Sequence, residues 1–101
     1  MIILTAVIQA KPGKERELQE ALKSLIPISK EEKGTVKYIL HSSTAVPGKF
    51  FFYEKYKDKQ AHDDHSNNHR FQEVFKQFGD LAVGAPETEF YEEVASIADL
   101  R

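Results

Sequence analysis

The sequence contains no cysteine and no tryptophan, and only four prolines and five glycines among 101 residues. Without cysteine there can be no disulfide, no thiolate nucleophile and no thiolate-held zinc. Long apolar runs are also missing: none approaches the roughly 20 residues of a membrane-spanning helix, so no membrane partner is expected. The apolar start Met1-Ile2-Ile3-Leu4 lacks a basic lead-in, and Lys11 interrupts it too soon for a signal peptide. Charge of one sign is lacking as well. Fourteen basic and sixteen acidic residues interleave along the chain for a formal net charge of −2, which leaves no basic patch to follow a phosphate backbone and argues against nucleic acid. There is no glycine-rich phosphate loop after a strand and no serine-centred nucleophile elbow. The expectation is a cytoplasmic chain with room for one domain and one core, spanning residues 1–101.

What is present alternates between two periodicities. Ile2 to Ala10 is aliphatic and β-branched and reads as a strand, closed by Lys11-Pro12-Gly13. Leu18, Ala21, Leu22, Leu25 and Ile26 recur at helical spacing, with Glu15 and Glu17 in the first turn, where the helix dipole favours acids. Pro27 removes a backbone donor and should kink this helix or split off its last turn before Gly34. Thr35–Thr44 and Lys49–Lys57 read as a hairpin joined by Ala45-Val46-Pro47-Gly48. Asp58 suits the N-cap of a short helix through His65, and Ser66-Asn67-Asn68 offers a fresh cap. A second main helix then carries Phe71, Val74, Phe75, Phe78, Leu81 and Ala82 on one stripe, before a last strand over Glu87–Val94. The tail from Ala95 has no clear pattern.

The order β-α-β-β-α-β predicts an α+β domain of ferredoxin-like topology, with a four-stranded antiparallel sheet and both helices on one face. Strands wetted on their other face should alternate apolar and polar residues. Phe50-Phe51-Phe52-Tyr53 and Ile2-Ile3-Leu4 do not. Both faces of the sheet therefore call for burial, and a homodimer joined through the sheet faces is the expected cover.

Two segments carry a family resemblance. Glu32-Lys33-Gly34-Thr35-Val36-Lys37-Tyr38 matches an acidic-x-Gly-x-x-x-aromatic lead into the second strand. Phe50 to Asp58, followed by Ala61 and His65, matches a Tyr-Glu-x-aromatic-x-Asp…Ala…His pattern. With the opening strand and Pro12-Gly13-Lys14, the chain resembles the antibiotic biosynthesis monooxygenase (ABM) family of dimeric α+β barrels over nearly its whole length. Relatives include cofactor-free monooxygenases of quinol-like aromatics, haem-degrading enzymes, an isomerase of a phosphorylated signalling sugar and proteins without a known reaction. Many carry a second histidine five residues beyond the first, usually after a proline; here Arg70 and His69 stand at those places. Haem degradation relies on a tryptophan and a first-strand asparagine, and this chain has neither.

Strand parity places Phe50, Phe52, Glu54 and Tyr56 on one face, and the resemblance turns that face toward the helices. A carboxyl among aromatics loses hydration, which raises its pKa toward the range of proton transfer. The plainer alternative is that Glu54 pairs with His65, Arg70 or a lysine and ties strand to helix. His65, at the break between two helices, is placed over a pocket mouth by the resemblance and could relay a proton; otherwise it is a capping histidine. Tyr38, assigned to one face with Val36 and Leu40, could donate to a substrate oxygen or be core with a polar tip. Asn68 and Arg70 are candidates for polar substrate groups, and Phe50, Phe52, Tyr56, Phe71 and Phe75 for pocket walls. His62, His65 and His69 share one face of an unbroken helix, but the expected break at Ser66-Asn67-Asn68 separates them, so no metal is assigned.

The reading that follows is an oxidoreductase without metal, flavin or other cofactor, acting on a small electron-rich aromatic such as a quinol. Glu54, His65 and Tyr38 would be its catalytic set. An isomerase of a small phosphorylated or hydroxylated metabolite, and a non-catalytic small-molecule-binding dimer, are the alternatives.

Overall fold

A computed structural model describes residues 1–100. Four strands, β1 (Ile2–Gln9), β2 (Thr35–Ser42), β3 (Lys49–Tyr56) and β4 (Glu87–Glu92), form one antiparallel sheet in the order β2-β3-β1-β4. One face is covered by α1 (Glu15–Lys23), α2 (Leu25–Lys30), α3 (Lys59–Ser66), α4 (His69–Phe75) and α5 (Phe78–Leu81). This is the ferredoxin-like α+β order expected from the sequence. The tail ends in a 3-10 turn over Ile97–Leu100. Among the described residues no helix is long and apolar enough to cross a membrane.

Register decides which side chains meet the helices. Leu4, Ala6 and Ile8 of β1 stand opposite Glu54, Phe52 and Phe50 of β3, and Tyr38 and Leu40 of β2 pair with Glu54 and Phe52. Beneath the helices, Ala6, Ile8, Phe50 and Phe52 pack with Leu18, Leu22 and Leu25 and with Phe78 and Leu81. A register shift between Thr35 and Lys37 leaves Val36 in a bulge. Val36 is therefore exposed and does not share a buried face with Tyr38 and Leu40, as simple alternation implies.

The helices are shorter than their apolar stripes. The first divides at Ser24, so Pro27 falls in the first turn of α2, where its missing N–H costs no intrahelical bond. The second stops at Phe75 and resumes at Phe78. The end of β1 competes for its backbone: Lys11 N donates to Leu81 O at 2.9 Å, and Val83 N to Gln9 O at 2.7 Å. Ala82 thereby leaves the helix and bridges Ala10. Strand β2 ends at Ser42 instead of Thr44 because the Ser43 hydroxyl accepts from the amides of Ala45 and Val46, opening the turn early.

Candidate active site

The site begins with a close approach. A Cβ on Gly34 would stand 2.3 Å from Cβ of Ala61, so only glycine lets α3 lie this near the start of β2. Asp58 caps α3 by accepting from Ala61 N at 2.9 Å. One turn further on, His65 projects from the same face as Ala61 into the interior and is only 3% exposed. Its Nδ1 lies 2.8 Å from Glu32 Oε1, two residues before the glycine. The same carboxylate accepts from Thr35 Oγ1 at 2.8 Å and from the Asn68 side-chain amide at 2.7 Å. Asn68 in turn accepts from Arg70 N, capping α4.

Glu54 is 4% exposed on the neighbouring strand. Tyr56 donates its hydroxyl to Glu54 Oε1 at 2.5 Å. Burial pushes the carboxyl up to about 7; the Tyr56 bond opposes this, and the charge of Glu32 adds to it. Burial, with the Glu54 charge behind it, lifts the Tyr38 phenol far above its ordinary value. Burial also lowers the pKa of His65, partly offset by Glu32, so the imidazole tends to its neutral form. The Tyr38 ring lies 4.8 Å from Phe52 and 5.2 Å from His65, centroid to centroid. Ser29, 1% exposed, brings its hydroxyl near the Tyr38 phenol without a well-formed hydrogen bond.

These groups border a cavity of about 90 Å³ between the sheet and α3–α5. It unites Glu54, His65 and Tyr38 with Phe52, Phe71 and Phe75, as anticipated, and its remaining wall is largely apolar, with no lysine or arginine among the described residues. Four anticipated residues stand elsewhere. Phe50 belongs to the core under α1, and Tyr56 is buried beside Leu4 and Ala61, outside the cavity wall, with its hydroxyl on Glu54 and its ring 5.4 Å from that of His65. Asn68 is occupied with Glu32, and Arg70 pairs with Glu31 on the surface at 2.8 Å. Glu54 therefore pairs with neither His65 nor Arg70. His69 is exposed and faces Glu73, away from His65; among the described residues no three metal-ligating side chains converge.

Sequence reasoning missed Glu32 as a site residue, although it is the acid of the acidic-x-Gly segment. It also missed Ser29, which carries no local signal.

The antibiotic biosynthesis monooxygenase family model matches residues 1–77. The chain belongs to this family. A Shewanella oneidensis protein of solved structure, SO0527, is 34% identical, with a TM-score of 0.83 over 89% of this chain and 87% of its own. PA3566 from Pseudomonas aeruginosa is 26% identical, with a TM-score of 0.87 over 93% and 94% of the two chains. Among curated proteins, the uncharacterized protein sll1783 of Synechocystis is 26% identical over 90 residues, 89% of this chain. The chain spans 61% of the length of that relative. ABM membership accords with a monooxygenase-like or small-molecule-binding role and with the cavity beneath the helices.

Proposed function

We propose that this ABM protein oxygenates a small, electron-rich hydroxylated aromatic, of which a one-ring quinol is the type, in the cytoplasm and without a cofactor. The observation that carries this reading is Glu54: a buried carboxyl poised near 7, held by one phenol and opening on an apolar cavity beside a histidine. Such a group can take a phenolic proton at neutral pH. The phenolate then gives an electron to dioxygen, and the radical pair joins at a ring carbon. Protonation yields a hydroperoxide, which loses water. For hydroquinone, one oxygen atom ends on the ring as a hydroxyquinone and the other leaves as water. Tyr38 and His65 border the space where the developing oxyanion would lie, and the apolar wall excludes bulk water.

Size and charge narrow the ligand. About 90 Å³ is less than the roughly 150 Å³ of a protein cavity that holds benzene. A single ring therefore enters only if Phe71 and Phe75 move outward, and they sit on α4, none of whose residues is fully buried. A phosphorylated ligand would meet no lysine or arginine among the described residues of the wall, which weighs against the isomerase reading. In this proposal the working unit is a homodimer joined through the open faces of the sheets.

Oxygen uptake with hydroquinone and its methyl ethers tests the reading. The wild type should consume oxygen with hydroquinone, while Glu54→Gln should bind it and consume none. Binding without uptake by the wild type would instead make the protein a carrier.

A further inference from the structure

We propose that Glu32 is a positioning residue of this site: it holds His65 with the proton on Nδ1, leaving Nε2 as the acceptor for a ligand hydroxyl in the cavity. The inference rests on the oxygenase reading only for what the ligand then undergoes; the arrangement of the ring is independent of it.

The geometry is overdetermined. Oε1 of Glu32 takes Thr35 Oγ1 and faces His65 Nδ1, both at 2.8 Å, while Oε2 takes the Asn68 amide at 2.7 Å. Thr35 opens β2, His65 stands in the last turn of α3 and Asn68 caps α4, so one carboxylate fixes three elements around the ring. A carboxylate has only acceptor sites, so the ring nitrogen facing it carries the proton. The second nitrogen, Nε2, has no side-chain or backbone partner among the described residues, and the ring borders the cavity. The titratable and charged groups around the ring are Glu32 from the α2–β2 loop, Tyr38 from β2, Glu54 and Tyr56 from β3, and His62 on its own helix. No lysine or arginine is among them, and none of their atoms occupies Nε2. Glu54 and His65 thus face a ligand with two unlike offers, a carboxyl and a bare imidazole nitrogen, matching a molecule that carries an O–H and a second oxygen.

Long-range proton–nitrogen NMR of the ¹⁵N-labelled full chain reads the tautomer directly, without any activity. In the wild type at pH 7.5 the proton is expected on Nδ1, with Nε2 unprotonated. In Glu32→Ala it is expected to shift largely to Nε2, with kcat on hydroquinone down tenfold or more and KM changed less; Glu32→Asp should restore part of both. A wild-type proton on Nε2, or a folded Glu32→Ala with unchanged tautomer and rate, overturns the proposal, and the wild-type spectrum decides even if the alanine variant does not fold. If the wild type shows the expected tautomer and consumes no oxygen with any hydroxylated aromatic, the oxygenase reading fails while the assignment of Glu32 stands. If Glu54→Gln abolishes turnover but folded Glu32→Ala leaves it unchanged, the failure lies with Glu32 alone.

Discussion

At the scale of the residue, Glu54 sets function against stability. Its carboxyl titrates near 7 in the fold and near 4.5 when free, so the folded state favours the protonated form. That contribution to stability is fully present below pH 4.5 and is lost as pH rises through about 7. The amount is about 3 kcal/mol, taking roughly 1.4 kcal/mol per pH unit. His65, whose pKa is depressed, acts in the opposite sense, losing stability as pH falls. Comparing wild type with Glu54→Gln isolates the carboxyl. The glutamine variant should melt higher than wild type at pH 8.5, and the gap should close by pH 4.5. A constant gap across that range would show that the carboxyl is not perturbed. Tyr56→Phe removes the only donor to Glu54 among the described residues. It should cost about 1–3 kcal/mol wherever the carboxyl is ionised and move the acid limb of the oxygen-uptake profile to higher pH, because that bond holds the carboxyl down.

The elements explain why these residues meet. Gly34 and Ala61 are small because α3 must approach β2, and the approach brings His65 within reach of Glu32. Gly34→Ala should displace α3, destabilise by about 1–3 kcal/mol in denaturant melts and break the Glu32–His65 pair. The double variant Gly34→Ala with Ala61→Gly should recover most of the loss. Helix α4 behaves differently. It stands over the cavity with no fully buried residue, held at its start by Asn68. Its amides should exchange hydrogen faster than those of β1 and β3 and slow when hydroquinone binds; equal protection in the free protein would remove the route by which a ring enters. The hairpin and the Asp58 cap were legible in the sequence, since each has a local chemical cause; Pro27 signalled a broken helix, but the break falls three residues earlier, at Ser24. The departure from the helix at Ala82 was not legible, because the competing hydrogen bonds come from the far end of β1.

At the scale of the molecule, the shape is a slab, 44 × 32 × 20 Å, with helices on one side only. The open face carries Val7, Ile39, Phe51, Tyr53 and Tyr91, flanked by Lys37 toward one edge and Glu87 and Glu89 toward the other; Ile3 on the same face is already buried, and Lys55 pairs with Glu93. Two copies related by a two-fold axis could cover the apolar centre and bring unlike edges together. Sedimentation at micromolar concentration should return twice the chain mass, and Phe51→Asp should return the single mass with helices retained. A wild type that sediments as one chain would remove the dimer from the proposal.

Local sequence determined the element order, the parity that buries Glu54 with Phe52, and the apolar character of both sheet faces, because periodicity and turn chemistry act over a few residues. It also supplied Phe52, Phe71 and Phe75 of the cavity wall. Tertiary structure alone decided the partners. Glu32 met His65, Glu54 was left to Tyr56, and Arg70 went out to Glu31. Hydrogen bonds between residues 33 or 39 apart in the chain depend on how closely helices seat on strands, and no pattern within a single element carries that distance.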